Sequence, residues 1–224
     1  MNDMVIWVGL GSLMLGGAWY GVTEMTQGNL EEPKFRQIQS EGDFELRQYE
    51  SIVLASTPMK TDERSGMNGG FRVLARYIFG GNKPAESLPM TAPVLTQKGE
   101  SLPMTVPVLS GPSMEAPSVV NSRGGMTMAF VMPGDRDMAS LPQPLSPKVQ
   151  INEVSWGLVA SLRYGGYAKP ERFKAETQRL RTWIKQQGWI ERGPAMNAQY
   201  NSPWAFPLSR RNEVLIPVSS PTPK

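Results

Sequence analysis

"SIVLAST" (residues 51–57) is a short, nearly continuous apolar run, and a close counterpart, "GLVASLRY" (157–164), returns late in the chain. Both read as strands, because the runs are short and bounded by polar or glycine-containing segments. Within them "VLAS" (53–56) matches "LVAS" (158–161). Each tetrapeptide ends a strand pair and precedes a helical pattern by a dozen or so residues. That repetition implies a long-range duplication with a spacing of about 105 residues.

Working outward from the first run, "FRQIQSEGDFELRQY" (35–49) reads as two strands joined by a turn at Glu41-Gly42-Asp43. Phe44 and Leu46 alternate with Glu45 and Arg47, the period of a half-buried strand. Downstream, Met67, Phe71, Leu74, Ala75 and Ile78 fall on one helical face, and Gly80-Gly81 is a stop signal. Gly66, Gly69 and Gly70 weaken that helix by up to about 1 kcal/mol each, unless small residues are needed there for close approach. In the second half, "MTMAFVMP" (126–133) and "KVQINEV" (148–154) read as strands, and "KPERFKAETQRLRTWIKQQG" (169–188) as a helix. Pro170 suits its first turn and Gly188 its end. Glu171, Glu176, Arg179 and Arg181 read as its solvated face. "NEVLIPV" (212–218) is a closing strand, and 219–224 a polar tail. The order predicts an α+β domain: a duplicated, distorted antiparallel β-barrel or sheet flanked by two long helices.

A second, shorter repetition lies between the halves. "ESLPMTAPVLTQKGESLPMTVPVLS" (86–110) says nearly one phrase twice. Each proline forces its predecessor into extended geometry and removes a ladder donor. The phrase therefore reads as a hairpin or two edge strands, with Leu88, Met90, Ala92 and Val94 on one side. Met90 and Met104 either face the core or line a wall for a flat apolar ligand; the core is the expectation.

Composition closes off several functions. The chain has 224 residues, no cysteine and no histidine. Disulfides, thiolate nucleophiles, Ser-His-Asp triads and the usual zinc ligands are excluded. The net charge is +3, with no basic stripe, so nothing points to nucleic acid. Asp62-Glu63 and Asp135-Arg136-Asp137 read as turns, and no spacing suggests a catalytic carboxylate pair.

Residues 4–22, "MVIWVGLGSLMLGGAWYGV", carry no charge. As a helix they would reach about 28 Å, enough for a bilayer core. Trp7, Trp19 and Tyr20 sit near the ends, like an aromatic belt. A membrane anchor over 1–25 is expected, with the domain exported. A cleaved signal and a buried helix remain the alternatives. Residues 26–33 read as a linker, and 34–218 as the domain.

"EEPKFRQIQSEGDFELRQYES", "GFRVLARYIFGGN", "PMTAPV", "MAFVMP" and "YNSPWAFPLSRRNEVLIPV" together resemble the SOUL heme-binding protein family over roughly 31–218. The resemblance implies a duplicated barrel-like fold, kinship with gyrase-inhibitor-like effector domains, and non-enzymatic binding of heme or other tetrapyrroles for transport, buffering or sensing. It implies an apolar groove along the first helix and a C-terminal loop. The matching positions are Met67, Phe71 and Leu74, whose helical spacing by itself makes core packing the default, together with Trp204 and Phe206 in the loop. Arg64 or Arg76 would pair with propionates, since guanidinium forks fit carboxylates. No histidine is present to ligate iron, so packing, propionate pairing, or a Met or Tyr ligand must serve. Other readings are a binder of flat hydrophobic molecules, a membrane-associated interaction protein and, last, a hydrolase or tetrapyrrole-modifying enzyme. Arg210-Arg211-Asn212-Glu213 reads as a structural ion-pair cluster.

Overall fold

The computed structural model describes residues 30–59, 64–98, 126–201 and 205–220, with the Arg64 and Lys98 side chains outside the description. The expected anchor (1–25), Asp62-Glu63, Met104 and Trp204 lie outside the described residues. Among the described residues no helix is long and apolar enough to cross a membrane.

Two long strands organise the fold: β2 (Phe44–Met59) and β7 (Gln150–Gly165). They pair antiparallel from Phe44–Leu162 to Ser56–Gln150. Each merges two segments that the sequence suggested were separate strands. The first join carries no glycine or proline and the second carries Gly157 alone, so bends replace the expected breaks. The bend falls at exposed Glu50-Ser51 in β2 and at Gly157 in β7, whose φ of 59° suits glycine. The inward-facing set changes parity there. Arg47 and Tyr49 point inward before the bend, and Leu54 points inward after it.

The remaining strands are β1 (Phe35–Glu41), β3 (Asn82–Lys83), β4 (Val94–Lys98), β5 (Met126–Val131), β6 (Gln143–Pro144), β8 (Ile190–Glu191), β9 (Met196–Gln199) and β10 (Arg211–Ser219). Neighbours run β2-β5-β4-β9-β10-β7, and the β7–β2 pairing closes them into a barrel-like ring. β1 extends from the first part of β2 as a hairpin around Gly42, where φ is 60°. Helices α1 (Arg64–Ile78) and α2 (Pro170–Gln186) cover the outside.

The duplication is visible in this order. β2-α1-β4-β5 is repeated by β7-α2-β9-β10. The long strands (Phe44, Gln150) and the helices (Arg64, Pro170) each start roughly 106 residues apart, close to the spacing read from the sequence.

Three apolar clusters result. One fills the ring interior with Leu54, Leu95, Ala129, Trp156, Val159, Met196 and Leu215. One lies under α1, with Met59, Leu74, Ile78, Met128 and Phe130. One lies under α2, with Leu46, Leu162, Leu180, Trp183, Ile184 and Val214.

The Pro-punctuated segment corrects an expectation. Residues 94–98 are not an edge strand: β4 lies between β5 and β9. Prolines 89 and 93 precede the ladder, so every ladder donor survives. The expected alternation fails at Ala92, which faces the ring interior while Leu88 and Met90 pack under α1. The Ala92–Pro93 bond is cis. Met90 packs on the core, as expected. Leu30 packs on the interior cluster, and the Glu31 carbonyl accepts the Ala92 N–H at 2.9 Å.

Candidate functional site

α1 is held through its inward face. Leu74 is 0% exposed, and Tyr77 and Ile78 are buried with it. Met67 and Phe71 are half-buried and lean on the same cluster, and the Phe71 ring meets Phe130 edge-on at 5.3 Å. The bed is rich in thioethers: Met59, Met128 and Met132 are buried, and Met90 and Met126 partly so. Methionine adapts to irregular neighbours, so this bed is compliant.

The α1 glycines divide into two kinds. A Cβ on Gly70 would meet Met59 Cγ at 3.0 Å and Met59 Sδ at 3.3 Å, so the helix approaches its bed closely there. A Cβ on Gly69 would meet nothing within 4 Å. Gly69 lies on the outward side of α1 with Arg72, about half a turn around the helix from Met67 and Phe71. Arg72 and Arg76 are exposed on the same helix and make no ion pair among the described residues.

The expected site residues fall as follows. Met67 and Phe71 lie together on α1 and remain accessible, whereas Leu74 belongs to the core. Arg76 is exposed one turn beyond Arg72. Phe206 is half-buried just before a 3-10 turn (Pro207–Ser209) that leads into β10. In that loop Arg210 lies over the Tyr167 ring at 4.4 Å.

A buried charge cluster in the ring was only half legible in the sequence. Glu213 is 0% exposed, and Arg47 grips it with two bonds, Nη1 to Oε2 at 2.6 Å and Nη2 to Oε1 at 3.1 Å. Arg211 donates to Glu213 Oε1 from Nε at 3.0 Å, and Tyr200 Oη donates to Oε2 at 2.8 Å. Arg211 also pairs with Glu32 at 2.8 Å. The Arg211-Glu213 part bears out the structural reading. Arg47 corrects one, because strand alternation placed it on the solvent side. The ring closes over that face, so β2 has no wet side there. Burial would raise the Glu213 carboxyl. The hydrogen bond and charge of Arg47, with Arg211 and Tyr200, outweigh it and hold the group below its ordinary value. Burial pushes Tyr49 up to about 12. Every lone pair that this cluster needs is met, so it is a clamp rather than a ligand site.

Glu176 is a second correction. It is buried on α2 between Arg172 and Arg179, 3.5 and 2.6 Å away, instead of lying on a solvated face.

A cleft of about 220 Å³ opens beside the bend of β2, lined by Glu31, Glu32, Glu50, Glu153, Arg136 and Thr91 among others. Its carboxylates are largely engaged: Glu31 accepts the Gly134 N–H at 2.9 Å and Glu153 the Ser51 hydroxyl at 2.5 Å. Carboxylate walls repel an anionic ligand. Among the described residues no group of acidic side chains is arranged to hold a metal ion.

Comparisons with known proteins agree with this architecture. The chain is 27% identical over 184 residues to human "Heme-binding protein 2", covering 81% of each. Among solved structures, a hydrolase from Listeria innocua superposes with a TM-score of 0.50 at 9% identity, over 81% of this chain and 94% of that one. An EcmrR–DNA complex gives 0.51 at 9% identity, over 98% of this chain and 70% of that one. At such identities these two show the shared fold alone. The model of the SOUL heme-binding protein family matches residues 30–217, nearly the whole described domain, and the chain belongs to that family.

Proposed function

We propose that this chain binds heme or another tetrapyrrole on the open side of α1, without turnover, for transport, buffering or sensing. The observation that carries this is the accessibility of Met67 and Phe71, one turn apart on one face of α1 over a compliant methionine bed. A flat macrocycle needs an apolar surface, and two large apolar side chains at this spacing supply one. Exposed Arg72 and Arg76 supply guanidinium forks for propionates, and by family resemblance Arg64 is a third. By family resemblance, Trp204 and Phe206 complete the site from the C-terminal loop. The carboxylate-lined cleft suits an anionic ligand poorly, which favours α1 over it.

The residues fit the ring and the propionates better than the iron. The chain has no histidine, and the accessible soft donor on α1 is the Met67 thioether. Bound heme would bring an iron centre and a chromophore. The protein's own part is to pack the ring and neutralise its acids. The uncharged run 4–22 extends this reading to a domain exported and tethered at a bilayer; carbonate extraction of membranes tests the tether.

Titration of the purified chain with hemin should shift and sharpen the Soret band. Met67→Glu and Arg76→Glu should each weaken binding about tenfold; Arg76→Glu should leave thermal unfolding nearly unchanged because Arg76 is exposed, and Met67→Glu should lower it modestly because Met67 packs in part on the methionine bed. An unchanged spectrum at micromolar hemin sinks the proposal. The compliant methionine bed also suits other flat hydrophobic molecules. A panel of hemin, metal-free porphyrin and hydrophobic dyes separates the two readings: tetrapyrroles must bind more tightly than dyes.

A further inference from the structure

Phe79, Leu145 and Met138 are 64%, 56% and 45% exposed, among the most exposed large apolar side chains in the described chain. They belong to one corner. Phe79 follows α1 and bridges Ser87. Leu145 donates its N–H to the Gly81 carbonyl at 3.1 Å, two residues beyond Phe79. Met138 sits in the loop that Arg136 ties to Glu86 at 2.5 Å, next to Ser87. The corner is well supported from within. Tyr77 Oη donates to the Pro142 carbonyl at 2.9 Å, and the Asn82 amide to the Tyr77 and Glu86 carbonyls at 2.8 Å. Apolar side chains on so firm a base are a presented surface rather than a frayed end.

Two further observations say what covers it. First, exposed Lys83 and Lys148 flank the corner: Lys83 pairs with Gln143, two residues before Leu145, and Lys148 follows Leu145 by three. Neither makes an ion pair among the described residues, whereas nearby Asp137 accepts the Ala139 and Ser140 N–H groups and Glu86 is paired with Arg136. Second, the chain enters the domain from this side. Glu31 bridges Thr91, four residues from Ser87, the partner of Phe79, and its carboxylate accepts the Gly134 N–H at the head of the Met138 loop. Only residues 23–29 separate the uncharged run 4–22 from Leu30. Even fully extended, such a spacer spans about 25–30 Å.

We propose that this corner rests on the bilayer, with Phe79, Leu145 and Met138 entering the headgroup–acyl boundary and Lys83 and Lys148 meeting lipid phosphates. Apolar side chains flanked by cations are the pattern of an interfacial contact. The inference rests on the reading that residues 4–22 enter the membrane. It places the C-terminal end of α1 against lipid, on the same helix as the proposed tetrapyrrole face.

The absence of cysteine makes the test direct. Phe79→Cys, Leu145→Cys and Ile190→Cys in the full chain each carry one environment-sensitive fluorophore. Ile190 is the control: it is 41% exposed and follows α2 as residue 82 follows α1. The proteins are placed one per nanodisc, in phosphatidylcholine with some phosphatidylglycerol and brominated acyl chains. Labels at 79 and 145 should be quenched at least about threefold more than the label at 190. Adding Phe79→Glu to the Leu145 label, and Leu145→Glu to the Phe79 label, should reduce quenching to the control level while the chain still co-floats with vesicles. Equal quenching at all three positions, with co-flotation intact, overturns the docking surface and leaves the tether standing. A chain that fails to co-float overturns both. Labels that are dry only in concentrated lipid-free protein would assign the corner to a second copy and overturn the proposal.

Discussion

The two halves of the ring follow one plan and differ in how they hold their helix. In the second half, α2 drives Leu180, Trp183 and Ile184 into the sheet, all 4% exposed or less. The Trp183 ring stacks on Phe44 at 5.5 Å, and its Nε1 donates to Glu41 at 2.8 Å. Pro170 starts the helix and Glu171 complements its first turn. In the first half, α1 has three glycines in its first two turns, no acidic residue in its first turn, and Met67 and Phe71 only half covered. Rigid aromatic packing fixes one helix, and a thioether bed cushions the other. A duplicated frame lets one copy provide stability and leaves the other free to accommodate a ligand.

The largest expected effect is at the clamp that joins the halves, because Arg47 comes from β2 and Glu213 from β10. Glu213→Ala removes both Arg47 Nη–carboxylate bonds, leaves Arg47 its 2.6 Å ion pair with half-buried Glu45, and should cost about 3 kcal/mol, read as a fall in the urea midpoint. A loss below about 1 kcal/mol would mean the halves are held by apolar packing alone.

Truncation of each helix sharpens the contrast between them. Leu180→Ala should cost about 2–5 kcal/mol and leave hemin affinity unchanged, whereas Met67→Ala should cost less than about 1.5 kcal/mol and weaken hemin binding. Reversed effects would break the division of roles.

Acid should act on the clamp next. The folded-state pKa of Glu213 is depressed, so its contribution is present above the unfolded carboxylate value and is lost as pH falls below it. Stability should therefore drop below about pH 4, and Glu213→Gln should flatten that limb. Parallel acid limbs in the two proteins would remove Glu213 from the account.

The smallest effects are at the glycines. Gly69→Ala should stabilise by about 0.5–1 kcal/mol through helix propensity. Gly70→Ala should gain at least about 0.5 kcal/mol less than Gly69→Ala, because Met59 must shift to admit the methyl group. Calorimetry on the two variants decides. Equal gains would mean that α1 does not sit closely on its bed.

The duplication, the two helices and the closing strand were legible because periodicity and glycine stops report local structure directly. The joining of 44–49 to 51–59 was not, since a bend without turn residues leaves no mark in the sequence. The central place of β4 was hidden because Pro93 signals an edge to a local reading, while it stands one residue ahead of the ladder. Arg47 and Glu176 show the same limit for charge. A residue pattern does not reveal that a ring closes over one strand face, or that two arginines flank a glutamate on a helix. On α1, helical spacing gave the inward face as a whole. It could not separate fully buried Leu74 from accessible Met67 and Phe71, because that depends on where the thioether bed ends.

Hydrogen exchange of the full chain with and without hemin tests the central claim most directly. The account predicts slowed exchange across residues 65–72 of α1, with α2 unchanged. Protection confined to the cleft at 50–53, 131–137 and 153, or to α2, would contradict it.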